Sequence, residues 1–362
     1  MPNAVITGWG KCLPPTRLTN ADLSEVMDTS DEWITTRTGI KERRICHVNT
    51  TDMAHVAAAR ALAAADVDPL DVDVIILATC TPDTLIPNAV SRVQLLLGAT
   101  NAAALDINTA CSGFLYGLTL ARGQIGMGLA KKVLVIGAER LTAYMDWSYR
   151  QTAVLFGDGA GAVLLEASED EPGILASSVG NDAEAADFLK MPGFGTNMDR
   201  FASDAGAITV LMSGQDVFKR AVHGMSKMSA EVLEKAGLTH EDVDLIIPHQ
   251  ANLRIIDSVV KKLGADRDKA YINIQRYGNT SAATIPIALS EALEEGAIQP
   301  GSTILLTAFG AGLSVGAVAL KWGKSVTPKA STEVDLPPCD KTALELIEPS
   351  VQFYRTHSKH GQ

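Results

Sequence analysis

Nowhere in this 362-residue chain is there the run of about 18 apolar residues that a membrane-crossing helix requires. The opening segment, Met1 to Leu13, also lacks the basic stretch and apolar core of a secretory leader, so a cytoplasmic protein with no membrane partner is expected. Positive charge is in deficit: 31 lysines and arginines against 42 aspartates and glutamates leave a formal charge of −11. Nucleic acid repels a chain this acidic, and an acidic protein partner would have to meet a local basic patch. The five cysteines, Cys12, Cys46, Cys80, Cys111 and Cys339, are odd in number, scattered and without a Cys-x-x-Cys pair. That pattern indicates neither a disulfide framework nor a zinc site, and free thiols in a reducing compartment are the simpler expectation. Aromatic residues are few, while alanine and glycine are abundant, which suits helices packed tightly on sheets. With 46% apolar residues the chain can bury a large core, and its length allows two domains of an α/β enzyme.

What is present is one pattern written twice. Val72-Asp73-Val74-Ile75-Ile76 returns as Val243-Asp244-Leu245-Ile246-Ile247, and the run 133–137 returns at 303–307, each about 170 residues later. These short β-branched runs read as strands buried on both faces. Between them lie helical patterns: 52–65, capped by Thr51 or Asp52, is matched by 225–236, which ends at Gly237. A second pair, 112–129 and 281–295, is so apolar that each helix should be buried between layers. Two halves of strand, buried helix and strand that share a central helical layer would form five layers, αβαβα. The boundary is placed in 168–178, which gives halves 1–172 and 173–323. The polar segment 181–206 reads as an insertion that wraps the surface or covers a tunnel. From Lys324 to the end, composition shifts to Pro, Ser, Thr and Lys, as in a tail with one short helix at 341–347.

Cys111 follows a strand and precedes the first buried helix, in Asn108-Thr109-Ala110-Cys111-Ser112-Gly113-Phe114. Unpaired amides and the helix dipole at such a place stabilise a thiolate, although a free cysteine can equally be a small buried hydrophobe. His249 ends an apolar strand in Pro248-His249-Gln250-Ala251-Asn252, where α/β enzymes collect reactive groups, and could equally be a hydrogen-bonded structural residue. Asn279, in Tyr277-Gly278-Asn279-Thr280-Ser281, is by itself an ordinary turn residue. The repeat alters that balance, because it puts Cys111 and Asn279 in equivalent places that pseudo-twofold symmetry would bring together. Phe309-Gly310-Ala311-Gly312 follows the strand at 303–307 and has the small residues that let backbone amides approach an oxyanion.

The runs around Cys111, His249, Asn279 and Phe309 resemble those of β-ketoacyl-acyl carrier protein synthase III, a thiolase-like condensing enzyme. The resemblance extends from Ala4 to Trp322 and includes Asp31-Glu32-Trp33-Ile34, Thr36-Arg37-Thr38-Gly39-Ile40 and Phe156-Gly157-Asp158-Gly159-Ala160; the stretch after Gly323 lies outside it. It implies a thiolase-like five-layer fold and acylation of Cys111 by an acyl-CoA, followed by decarboxylative condensation with malonyl-acyl carrier protein. His249 and Asn279 would then donate hydrogen bonds to the malonyl thioester oxygen, and the amides of Cys111 and Ala311 would hold the oxyanion. No metal or redox cofactor is implied. The resemblance further puts Trp33 against the CoA adenine, Thr29, Arg37 and Arg150 near its nucleotide and phosphates, Asn252 near the pantetheine arm, and Phe309 beside His249. Lys219, Arg220, Arg254, Lys261 and Lys262 would form the carrier-protein patch, and a homodimer is implied.

The composition of the cluster separates relatives. A biosynthetic thiolase needs a second cysteine in the last glycine-rich turn, which this chain lacks, and elongating synthases use two histidines where Asn279 is the third member here. Two positions depart from acetyl-primed members. Ile86, the residue expected to line the dimer partner's acyl pocket, and Val315 both stand where bulkier aromatics are frequent, so a primer longer than acetyl is expected. The alternatives are acyl transfer to an alcohol or amine, joining of two long acyl chains, and a subunit that only shapes a partner's product.

Overall fold

The computed structural model describes residues 2–192, 196 and 208–357. Its first half is built on a five-stranded sheet in the order Asn3–Cys12, Asp158–Ser168, Lys132–Arg140, Val74–Ala78, Ala103–Ile107. The last three strands run parallel, and the first two add antiparallel. The second half carries a four-stranded sheet, Leu245–Pro248, Thr303–Gly310, Ser314–Lys321, Gly173–Asn181, with the first pair parallel. The chain leaves one sheet at Ser168 and enters the other at Gly173.

Apolar pattern decides the layering. Val74–Ala78 and Leu245–Pro248 are buried at every position because helices cover both faces. Gly113–Gly126 and Thr284–Glu294 lie between the sheets, and every residue from Thr284 to Leu293 is buried. Thr50–Ala65 and Ala89–Leu97 pack on the outer face of the first sheet, and Gly214–Ala236 and Leu253–Leu263 on that of the second. The result is the αβαβα stack, in which the central helices belong to both halves.

The repeat holds in register. Val74 corresponds to Leu245, Ala110 to Ser281 and Lys132 to Thr303, an offset of 171 residues in each case. In that register Cys111 matches Ala282, and Asn279 matches Asn108, so the expected equivalence of Cys111 with Asn279 is corrected by three residues. The two share a loop type rather than a position. Asn108 Oδ1 accepts from the Ala110 amide at 3.2 Å, and Asn279 Oδ1 from the Ser281 amide at 2.8 Å. Ala110 and Ser281 then take left-handed φ values of 47° and 50°, and one tight helical turn follows each.

Three expected elements differ in extent. The helix expected at 52–65 begins at Thr50 with Asn49 as its cap, because Asp52 reaches back to the Asn49 amide in a capping box. The helix expected at 225–236 is the 23-residue Gly214–Ala236, whose polar first turns are exposed while Val217 and Ala221 are buried. Of the segment read as an insertion, 193–195 and 197–206 lie outside the described residues; Leu189–Lys190 pairs with Leu211–Met212.

The expected short helix at 341–347 is instead the 15-residue Ala343–His357, which runs through Pro349. Thr342 and Glu345 cap its start, and Ala343, Ile347, Val351 and Tyr354 recur at helical spacing as its buried stripe. That stripe outweighs the one hydrogen bond that proline removes.

Gly137 permits a close approach between the halves beside the site: a Cβ there would lie 2.3 Å from the Ala282 carbonyl oxygen. Gly137→Ala is expected to lower the unfolding free energy in urea by about 1–3 kcal/mol through overpacking. Gly123→Ala, on a helix with nothing within 4 Å, should leave it unchanged or raise it by up to about 1 kcal/mol. Equal effects of the two would contradict this view of the junction.

Candidate active site at the junction of the two halves

Cys111 sits in the one-turn Ala110–Ser112 that joins the Ala103–Ile107 strand to the central helix. The strand Thr303–Gly310 comes so close that a Cβ on Gly310 would lie 2.7 Å from the Cys111 amide nitrogen. Burial pushes the Cys111 thiol up to about 12; a hydrogen bond with Ser281 and the Cys111 amide pull it down, and the Glu139 charge raises it further. The expectation of a thiolate stabilised by the helix start is therefore corrected: burial outweighs the amides, and the resting group is the thiol.

His249 lies at the end of Leu245–Pro248, nearly inaccessible. Burial lowers its pKa to about 3, so the imidazole is neutral at physiological pH. Its Nδ1 is 2.6 Å from Thr284 Oγ1, while Nε2 is buried with no hydrogen-bond partner among the described residues. Phe309 packs edge-on against the imidazole at 5.5 Å. Asn279 is fixed by its backbone, which donates to Leu155 O at 2.8 Å and accepts from the Gly157 amide at 3.1 Å. Because Oδ1 is taken by the Ser281 amide, the Asn279 Nδ2 is the atom left to donate.

Cys111, His249 and Asn279 line one cavity of about 240 Å³, together with Phe309, Trp33, Arg37 and Asn252. Trp33 belongs to the helix Asp31–Thr38, capped by Ser30. The Arg37 and Arg150 guanidiniums lie 4.6 Å and 4.8 Å from the centre of its ring, and Arg150 is also held by the Asp28 carbonyl at 2.7 Å. Asn252 caps Leu253–Leu263 and donates to the Arg37 carbonyl at 3.1 Å, tying the two halves at the cavity mouth. Thr29 does not line this cavity; its Oγ1 is buried without a partner among the described residues.

A second cavity, of about 420 Å³, also reaches Cys111 and is lined by Leu85, Leu141, Phe156, Leu189, Val210 and Ala311, among others. Ile86 is 92% exposed and lines neither cavity of the single chain. Val315 lies against the Gly214–Ala236 helix, 2.7 Å from where a Cβ on Gly224 would stand, packs in one cluster with Phe309 and itself lines neither cavity. Lys219, Arg220, Arg254, Lys261 and Lys262 are all exposed on two helices that pack together. Arg220 pairs with Asp182, and Arg254 stands about 10 Å along the axis from Lys261. They make a strip along the surface rather than one cluster.

Sequence reasoning missed Glu139 and the two hydroxyls that follow Asn279. Glu139 is fully buried behind the nucleophile, where its carboxylate accepts from Thr81 at 2.6 Å, Thr79 at 3.1 Å, the Cys80 amide at 3.1 Å and Ser281 at 2.9 Å. Burial pushes its pKa above the ordinary range, and those hydrogen bonds pull it back. The available signal was a carboxylate ending the otherwise apolar strand Lys132–Arg140. Ser281 links Glu139 to Cys111, and Thr284 links the same loop to His249.

Among the described residues no helix is long and apolar enough to cross a membrane. Family models described as 3-oxoacyl-[acyl-carrier-protein (ACP)] synthase III and as its C-terminal part match residues 105–183 and 233–322. A Vibrio cholerae protein named β-ketoacyl-[acyl-carrier-protein] synthase III 2 is 53% identical over 354 residues, 98% of each chain. A synthase III of Caldanaerobacter subterraneus is 50% identical over 325 residues, 89% of this chain and 98% of its own. The crystal structure of the Aquifex aeolicus 3-oxoacyl-[acyl-carrier-protein] synthase III superposes with a TM-score of 0.83 at 49% identity, covering 88% of this chain and all of that one. The Aquifex match leaves 12% of this chain uncovered, but a match of 354 residues requires the Vibrio relative to share most of the stretch after Gly323, which corrects the expectation that this stretch lies outside the resemblance. A buried thiol, imidazole and carboxamide facing one cavity, on this fold and with these relatives, make the chain a member of the β-ketoacyl-[acyl-carrier-protein] synthase III family.

Proposed function

We propose that the protein condenses an acyl-CoA primer with malonyl-acyl carrier protein in fatty acid biosynthesis, through an acyl thioester on Cys111. The convergence of Cys111, His249 and Asn279 on one cavity carries this reading. Cys111 Sγ attacks the thioester carbonyl, the oxyanion rests on the amides of Cys111 and Ala311, and CoA leaves as the thiol with the proton that Cys111 gives up. Malonyl-acyl carrier protein then enters and loses carbon dioxide. Its enolate oxygen takes hydrogen bonds from His249 Nε2 and Asn279 Nδ2, and its carbon attacks the acyl thioester, releasing the 3-ketoacyl product and the Cys111 thiolate, which takes a proton from solvent to restore the thiol.

For Nε2 to donate, Nδ1 of the neutral imidazole must accept, which requires the Thr284 hydroxyl, 2.6 Å from Nδ1 and 3.0 Å from the Ser281 carbonyl, to turn its single proton toward the imidazole. Trp33, Arg37, Arg150 and Thr29 are assigned to the CoA nucleotide, with the guanidiniums yielding the ring face to adenine, and Asn252 to the pantetheine arm. Lys219, Arg254, Lys261 and Lys262 are assigned to the acidic carrier protein, and Arg220 joins them if it gives up Asp182. No metal or redox cofactor takes part in these steps. A homodimer is supported by the edge strand Ala103–Ile107, exposed or half-buried throughout, and by the exposed Leu85, Ile86, Leu95 and Leu96 nearby in sequence. The 420 Å³ apolar cavity supports a primer longer than acetyl.

Intact-protein mass spectrometry should show an acyl adduct from octanoyl-CoA faster than from acetyl-CoA, and none in Cys111→Ala. His249→Ala and Asn279→Ala should still acquire the adduct but lose condensation by about 10²–10³-fold, the cost of removing one donor to a developing oxyanion. Thr284→Val should lose condensation with acylation retained, and Thr284→Ser should restore it. Loss of acylation in the His249 variant would contradict this division of labour.

The neutral imidazole is the working form and persists down to about pH 3, so condensation should show no loss assignable to His249 as pH falls through 6.5. An inflection near 6.5 in the pH profile that disappears in His249→Gln would show the imidazole to titrate near its ordinary value and contradict the burial argument.

A further inference from the structure

Caldanaerobacter and Aquifex relatives match this chain over 98% and 100% of their own lengths while leaving about a tenth of it uncovered, so the stretch after Gly323 is added to a complete unit. That addition takes a defined course. The Lys329 amide donates to Ala64 O at 3.0 Å and its ammonium to Ala65 O at 3.1 Å, Asp335 pairs with Arg60 at 3.2 Å, and the Pro337 carbonyl lies 2.8 Å from His47 Nε2. Val334 and Leu336 lie on the core under the Thr50–Ala65 helix. The segment thus returns from the end of the second half across the first.

It ends at the acyl cavity. The buried Ala343, Ile347 and Val351 of the terminal helix share one apolar cluster with Leu141, Phe156 and Val210, and the helix packs on the Leu141–Tyr144 turn. Ser350 Oγ donates to the Met145 carbonyl at 3.2 Å, and Tyr354 OH to the Ile208 carbonyl at 2.9 Å. Leu141 and Val210, beside those anchored backbones, line the cavity that reaches Cys111, whereas no residue of the terminal helix does. The helix braces, from behind, two segments whose own direct hydrogen bond runs from the Asp146 amide to Thr209 Oγ1 at 3.2 Å.

We propose that the terminal helix is a specificity element: by fixing Leu141 and Val210 it sets the size of the acyl pocket and thereby the chain length of primer that Cys111 accepts. This rests on the reading that Cys111 takes its acyl group from an acyl-CoA with the chain in that cavity. The packed wall rejects a chain that is too long because interiors yield little to overpacking, and loosening its support lowers that barrier.

The test is competition. Full-length protein is given an equimolar mixture of hexanoyl-, octanoyl-, decanoyl- and dodecanoyl-CoA, and the ratio of adducts on Cys111 is read by mass. The ratio is internal to each sample, so it does not depend on the fraction of active protein. Val351→Ala and Tyr354→Phe should each shift it toward longer chains by about threefold or more, within the range that one or two methylenes are worth in an apolar pocket. Tyr354→Phe keeps the side-chain volume and removes only the hydrogen bond to Ile208, so it serves if Val351→Ala does not fold. Ratios that stay as in wild type while the melting temperature falls would overturn the inference and make the helix a clasp for stability alone. Absence of any adduct on wild-type Cys111 would instead overturn the acylation reading itself, and this inference with it.

Discussion

Two short loops, Ala110–Ser112 and Ser281–Ala283, touch at the centre of the molecule, and the rest of the site depends on how closely they approach. The contact exists because side chains are absent where backbones must pass: Gly137 under the Ala282 carbonyl, Gly310 under the Cys111 amide, and Gly113 against Ala78. Each loop opens with an asparagine whose side chain accepts from the amide two residues on, and that residue is left-handed. From this one loop, used twice, the first half presents a thiol three residues after its asparagine, while the second presents the asparagine itself. The two sheets and the shared helical layer hold that pairing rigid.

The thiol and the imidazole that face the cavity rest uncharged. Burial holds Cys111 as a thiol and His249 as a neutral imidazole. The charge that develops during reaction falls on the reacting oxygens, where donors fixed in advance are worth most. Glu139 gives the loops a common anchor, because its carboxylate binds Ser281 on one side and Thr81 and Cys80 on the other. Thr284 orients His249 from the start of the helix that follows the second loop. Cys111, Asn279, Ser281 and Thr284 thus come from the same two helix starts, while His249 and Glu139 meet them from the ends of strands.

The layered fold was legible because its signals are local. Apolar strands repeated at a fixed offset, and helices apolar on all sides, announce a doubled unit with a shared middle layer. Cys111 and His249 could be singled out because a strand end and a helix start are visible in the pattern of a few residues. Their neighbours were less visible. Glu139 bonds residues about 60 positions before it and 142 after it, and no periodicity records such a meeting. The thiol's upward pKa shift was missed because a helix start can be read in sequence, whereas the depth of burial around Cys111 depends on the whole assembly. Val315 could be read only by its place in a turn; its strand pairs it with Phe309 and sends its side chain under a helix, a position that sequence does not record. The terminal helix was expected only as far as 347, whereas four buried residues at helical spacing carry it past Pro349.

The most direct measurement is a crystal structure of the protein after brief exposure to its preferred acyl-CoA. We predict continuous density from Cys111 Sγ into the cavity walled by Leu141 and Val210, with the thioester oxygen toward the amides of Cys111 and Ala311. His249 Nε2 and Asn279 Nδ2 should face the vacant malonyl position. Acyl density on another cysteine, such as Cys80, or a chain lying outside that cavity would contradict this mechanism.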